Sequence, residues 1–361
     1  MAHKPPRAPH GRGALSNPDN RFSDFSSELT DDGWGSLEAL AEETKPRTLL
    51  ETDTARSVIS FNQSPDVPFD RSINPYRGCE HGCVYCFARP SHAYLGLSPG
   101  LDFETRLFHK PDAPELLRKE LSRPGYRCQP IALGINTDGW QPVERGTQLS
   151  RRLLEVLDEF SHPVSIVTKS ALIERDIDIL ARMAVRNLAQ VMLSITTLDA
   201  DLARRLEPRA SRPERRLQTI ARLREFGIPT GVLIAPVIPA LTDHELENIM
   251  TACHAVGAQS AGYVLLRLPH ELKELFGEWL ETHAPLRAAH VWSRLGEMRA
   301  GRAYVSGFGQ RMTGHGLWAE LLRKRFDIAR RRLGFGRLPR LETERFRPPG
   351  AQEQMGLFDN T

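Results

Sequence analysis

A chain of 361 residues, 40% apolar and 26% charged, can bury a full core and reads as one large α/β domain with appendages. No run approaches the roughly 18 apolar residues of a membrane span. The N-terminus "MAHKPPRAPHGRGALSNPDN" is basic but is followed by no apolar stretch, so neither a span nor a secretory leader is expected, and the cytoplasm is the expected compartment.

In chain order, residues 1–55 are rich in Pro, Gly, Ser and acids with weak periodicity, and they read as a disordered lead-in with one short helix near "GSLEALAEE". From 56 to 270, apolar runs alternate with amphipathic stretches. The runs lie at 71–76, 130–137, 164–169, 191–197, 230–236 and 262–268. The segments between them, such as "TQLSRRLLEVLDEF" and "PERRLQTIARLREFG", repeat apolar residues at three and four, the helical period. Apolar strands separated by helices imply a parallel sheet covered on its faces. Six such units suit a partial (β/α)6 barrel with its site at the strands' C-terminal ends, or a flat doubly wound sheet; periodicity does not separate the two. Residues 271–337 change to helices interrupted by "SGFGQRMTGHG", which suits a phosphate contact or a plain connection, and 338–361 read as a tail.

Net charge is only +3, but residues 321–347 carry ten Arg or Lys against three acids, 10 − 3 = +7. Such a stripe suits nucleic acid, and equally a solvated helix face with a basic tail.

The sharpest feature is "RGCEHGCVYCFARP" at 77–90, with Cys79, Cys83 and Cys86 spaced C-x3-C-x2-C on the loop after the first strand. In a reducing compartment, clustered thiols are ligands or catalysts rather than disulfides. Zinc would need a fourth ligand, for which His81, His92 and His109 are nearby candidates. A 4Fe-4S cluster held at three corners would leave one iron for a small molecule. Cys128 and Cys253 stand alone.

This motif, with the aromatic Tyr85 before the third cysteine and six βα units around it, resembles the radical S-adenosylmethionine (SAM) superfamily. The resemblance implies that Cys79, Cys83 and Cys86 hold a 4Fe-4S cluster and that SAM fills the open iron. It further implies one-electron cleavage of SAM to a 5′-deoxyadenosyl radical, fed by a donor such as flavodoxin or ferredoxin. More narrowly, "NTD" (136–138), "VTKS" (167–170), "LSITT" (193–197), "LEPRASRPERRL" (206–217) and "GVLIAPVIP" (231–239) look like the spore photoproduct lyase branch. The string "FDRSINPYRGCEHGCVYCFARPSHAYLG" also resembles an uncharacterised bacterial family within that branch. The branch implies that Lys169 and Ser194 bind the carboxylate or ribose of SAM and that the backbone at Ala235 and Pro236 lies against adenine. Tyr85 and Phe87 suit stacking near adenine or packing of the loop.

One departure is that the branch's hydrogen-donating cysteine on the second strand has no counterpart in "LGINTD", so reversal of a thymine dimer is not inherited with the fold. Cys128 lies upstream of that strand, away from the expected catalytic face. Asp138, Gln141, Glu144, Glu207, Arg209 and Arg267 are the other polar residues expected near that face, Glu207 and Arg209 as loop ion pairs or substrate contacts. Finally, Gln354–Phe358, "QMGLF", resembles the peptide by which bacterial replication and repair proteins dock on the DNA sliding clamp. Beside a nucleic-acid substrate stand two other readings: a peptide, tRNA or small-molecule substrate, and a non-catalytic iron–sulfur or zinc protein that binds nucleic acid.

Overall fold

The computed structural model describes residues 11–23 and 47–348. Its strands, in chain order, are β1 (Leu49–Thr52), β2 (Ile59–Phe61), β3 (Arg71–Ile73), β4 (Tyr76–Arg77), β5 (Arg106–His109), β6 (Ile131–Leu133), β7 (Val164–Thr168), β8 (Ala189–Ser194), β9 (Thr230–Val237) and β10 (Ser260–Leu265). The longer helices are α1 (Ala113–Leu121), α2 (Leu149–Glu159), α3 (Ile177–Val185), α4 (Ala200–Leu206), α5 (Pro213–Glu225), α6 (Leu246–Ala255), α7 (Leu272–His283), α8 (Pro285–Glu297) and α9 (Gly316–Leu333).

The main sheet runs β10-β9-β8-β7-β6-β3-β2, with every pair from β3 to β10 parallel and β2 antiparallel at the edge. Strands adjacent in sequence are therefore adjacent in space, and the order never reverses as it does in a doubly wound sheet. Right-handed crossovers repeated in one direction put the helices on one face and curl the sheet toward a barrel. The six parallel strands match the six apolar runs read from the sequence.

Between sheet and helices lies the main core. Ile131, Leu133, Val164, Ile166, Val191, Leu193, Val232 and Ile234 meet Leu153, Leu157, Leu180, Met183, Ile220 and Met250. The parallel register brings the ends of β7, β8 and β9 level: Val167 pairs with Met192, and Ser194 with Leu233. Lys169, Ser194 and Ala235 consequently emerge at one rim. A second core joins Phe276, Trp279, Leu280, Val291 and Leu295 of α7 and α8 to Val84 and Tyr85, seating the cysteine loop on the C-terminal helices. Helix α9 packs beside α6, with Phe326 against Tyr263 (ring centroids 4.9 Å) and Arg325 bonded to Glu247.

Two expectations are corrected. The lead-in is not unstructured at 11–23, where Arg12 to Leu15 are buried, nor at β1, which pairs in parallel with β5 in a small three-stranded sheet. Side-chain carboxylates and backbone bonds hold this segment, which apolar periodicity cannot signal. The tail also packs as far as residue 348: Phe346 lies against Tyr126 and Phe160, and the Arg347 amide donates to Phe160 O at 3.0 Å. The short helix expected at 35–43 and the Gln354–Phe358 peptide lie outside the described residues.

Candidate active site

The cysteine loop follows β3 and β4 and is built from consecutive turns. The Cys79 amide donates to Phe103 O (2.9 Å), Cys86 to Cys83 O (3.1 Å) and Arg89 to Cys86 O (3.1 Å). Gly78 turns the chain at φ +77°, where an added Cβ would meet Leu107 Cδ2 at 2.6 Å, so neither the conformation nor the space admits a side chain. Arg89, wholly buried, fastens the loop by donating to Cys83 O (2.8 Å), Gly82 O (3.1 Å) and Gly100 O (2.8 Å), and its charge is met by the equally buried Glu104.

This loop carries the three thiols together. Cys86 packs against the two apolar clusters that hold Cys79 and Cys83, and all three lie within electrostatic reach of one another. Burial pushes each thiol up from its ordinary pKa, so on protein terms alone the three stay protonated. A bound cationic group reverses that balance and holds them as thiolates. Backbone amides already face the sulfurs, Asp138 toward Cys79 and Ala88 and Arg89 toward Cys86, donors of the kind that tune iron–sulfur centres.

The histidines considered as fourth ligands have other partners. His81 Nδ1 lies 3.3 Å from Asp138, His92 Nε2 2.9 Å from Arg106 O, and His109 Nε2 3.5 Å from Thr52 Oγ1. Among the described residues no three His, Cys, Asp or Glu side chains close around a single ion. Three neighbouring thiols, Cys79 and Cys83 buried and Cys86 half-buried, suit a cluster gripped at three corners.

Beside the thiols, the rims of β7, β8 and β9 converge on Glu207. Lys169 Nζ donates to Ser194 Oγ (2.6 Å) and Ala235 O (3.0 Å) and lies 3.3 Å from Glu207. Thr196 Oγ1 donates to Glu207 (2.7 Å), and the Tyr85 hydroxyl and Arg216 also bond it. Burial alone would raise the Glu207 pKa, but the charges of Arg216 and Lys169 outweigh it and hold the carboxyl well below the usual range. Lys169 Nζ also sits 5.7 Å from the Tyr85 ring centre. The result is a cationic, hydrogen-bonding rim with a carbonyl, Ala235 O, facing it.

Tyr85, Lys169, Ser194 and Ala235 are thus brought together, while Phe87 is not. It is 40% exposed and lies under the Arg267 guanidinium at 4.3 Å. Glu207 takes the ion-pair role, as does Arg209, bonded to Glu80 at 3.0 Å. Gln141 accepts the Glu80 amide, Glu144 bonds Tyr76 and Arg175, and Asp138 accepts from Thr168 and the Lys169 amide, so these three brace loops. Thr196 and Arg216 lie inside the quoted "LSITT" and "LEPRASRPERRL" but were given no role from the sequence. Cys128 precedes β6 and lies at the opposite end of the barrel, its thiol pushed up to about 12 by burial. Cys253, on α6, is likewise raised by burial to about 12.

The Radical SAM superfamily model matches residues 73–253, which contain the cysteine loop and strands β3 to β9. An uncharacterised protein of Mycobacterium tuberculosis is 37% identical over 231 residues, 63% of this chain and 68% of that one. An uncharacterised protein of Methanocaldococcus jannaschii is 28% identical over 173 residues, 48% of this chain and 62% of that one. Among solved structures, a point mutant of spore photoproduct lyase superposes with a TM-score of 0.57 at 16% identity over 79% of each chain, and the lyase complexed with dinucleoside spore photoproduct with 0.56 at 15% over the same shares. The fold is therefore that of spore photoproduct lyase, and the chain belongs to the radical SAM superfamily.

Proposed function

We propose that this protein is a radical SAM enzyme in which Cys79, Cys83 and Cys86 hold a 4Fe-4S cluster, and that its substrate is a nucleic acid. The observation that carries the chemistry is the meeting of the three thiols with the Lys169–Ser194–Ala235 rim at one end of the sheet. When bound, the cluster and SAM supply a one-electron reductive cleavage, fed by a low-potential flavodoxin or ferredoxin, that yields methionine and a 5′-deoxyadenosyl radical able to take hydrogen.

The chain's own residues supply binding and orientation. Lys169 would present a point charge to the carboxylate of SAM, and the backbone at Ala235 and Pro236 would lie against adenine. Tyr85 is pinned by Glu207 and Thr196 beside Lys169.

The substrate reading rests on the surface beside Cys86. Arg267 lies over the exposed Phe87, with Cys86, Tyr304, Arg311 and the Asp66 carboxylate within its electrostatic reach. Among the described residues no carboxylate forms an ion pair with it, and its Nη1 points to Met312 Sδ at 3.1 Å. Arg311, which pairs with Asp66, lies over Phe308, itself 61% exposed. Guanidinium and ring side by side suit a stacked base and its phosphate.

The test is binding of a labelled single-stranded oligonucleotide, followed by anisotropy, together with 5′-deoxyadenosine release with and without it. We expect salt-dependent binding, weakened about tenfold in Arg267→Gln, and release stimulated by the oligonucleotide. No binding, with release stimulated instead by a peptide or small-molecule fraction, would move the substrate to that class.

A further inference from the structure

Residues 11–23 lie against the cysteine loop, and no part of the SAM rim includes them. Gly13 is the tightest point. A Cβ there would stand 1.8 Å from Gly82 O, the carbonyl between Cys79 and Cys83, so the strap and the loop touch backbone to backbone. The amides of Gly13 and Ala14 donate to the two oxygens of Glu104 at 3.0 and 2.8 Å. That same carboxylate neutralises Arg89, whose guanidinium holds Gly82 O and Cys83 O. Glu104 therefore joins strap, fastener and loop in one buried network.

Further along, the Leu101 amide donates to Ser16 O, and Ser16 Oγ donates to Glu278 of α7 at 2.7 Å. Arg21 donates to Pro90 O and pairs with Glu271 at 3.2 Å. The strap so ties the loop to the C-terminal helices by polar bonds that add to the apolar contacts, in which Ala14 shares the core of Val84, Tyr85, Phe276 and Leu295. Ordering thirteen residues costs backbone entropy, which only persistent bonds offset. Those bonds converge on the loop that carries the thiols.

We infer that residues 12–16 are a positioning element of the cluster site: through Gly13 and Glu104 they set the spacing of Cys79, Cys83 and Cys86 and cover the loop's outer side. This rests on the radical SAM reading for what the thiols hold. It predicts that the loop's order in the metal-free protein, and the durability of the cluster in the loaded protein, depend on the strap while the barrel does not.

The test is the full-length Gly13→Ala variant, whose single added methyl meets Gly82 O. Arg21→Ala serves as a milder second variant at the partly exposed far end, and Phe346→Ala as a control that loosens the opposite end of the barrel. In the metal-free protein, hydrogen exchange of amides 79–89 is expected to speed at least tenfold in Gly13→Ala, and less in Arg21→Ala, with β7 and β8 unchanged. In the reconstituted protein, the cluster's visible band is expected to bleach several-fold faster in air in Gly13→Ala, and the reduced cluster's magnetic resonance spectrum to shift, with Phe346→Ala behaving as wild type. Unchanged exchange and bleaching in Gly13→Ala would overturn the inference. So would equal changes in Phe346→Ala, which would mean that both readouts follow overall stability. Should the wild type take up no cluster, the functional reading fails, and the exchange experiment alone still decides the strap.

Discussion

Replacing Glu207 by Gln keeps the shape of the side chain and removes its charge. The wild-type carboxylate is wholly buried and answers two cations, Arg216 and Lys169, while accepting from Tyr85 and Thr196. In the variant, Arg216, itself 1% exposed, keeps a neutral acceptor at best, and removing one partner of a buried pair costs about 3–5 kcal/mol. Against a total stability of about 5–15 kcal/mol, that is a large fraction. At about 2–4 °C per kcal/mol, the thermal midpoint falls by about 6–20 °C. Differential scanning calorimetry of the metal-free protein measures it. Arg216→Met combined with Glu207→Gln should recover part of the loss, since the stranded charge goes too. A Glu207→Gln variant within about 1 kcal/mol of wild type would refute the reasoning, because the carboxylate would then not be the centre of the network.

Three further outcomes are expected. His162 is buried and neutral, bonded to Tyr126 and Pro163 O, and desolvation draws its pKa down from 6.5 to about 4, with Arg71 adding to the fall. The unfolded chain binds the proton first as pH drops, so this stability is full above pH 6.5 and is lost progressively down to about pH 4. The loss is about 3 kcal/mol, and a His162→Phe variant should show a flatter acid limb in urea titrations. Lys169→Met, read by equilibrium dialysis of the reconstituted protein, should weaken SAM binding at least tenfold, about 1.4 kcal/mol; undiminished affinity would remove Lys169 from the SAM site. For the tail, a Leu357→Ala, Phe358→Ala variant should lose retention of the purified sliding clamp in a pull-down that the wild type supports.

The six parallel strands were legible because strands buried on both faces are written as apolar runs, and the helical period marked the segments between them. Lys169, Ser194 and Ala235 were named only through the family resemblance; the parallel register brings them to one rim because they fall at the ends of those runs. Arg216 was not legible, since a buried arginine in "PERRLQTIARLREFG" looks like any surface arginine until its partner Glu207, on the loop before that helix, is known. The strap was hidden in the same way. "GRGALSNP" holds almost no apolar residues, and its burial depends on a carboxylate at Glu104 far along the chain. Phe87 was placed with Tyr85 from adjacency alone, but the turn between them sends the two rings to different sides of the loop.

The central claim is that three thiolates hold the cluster and leave one iron to SAM. Anaerobic reconstitution of wild type, of Cys79→Ala, Cys83→Ala and Cys86→Ala, and of Cys128→Ala, with iron and sulfide counted and 5′-deoxyadenosine measured after dithionite, tests it most directly. The account predicts four irons and deoxyadenosine release in wild type and Cys128→Ala, and loss of both in each of the other three. A wild type that takes up one zinc and no iron, or releases deoxyadenosine unchanged without Cys83, contradicts it.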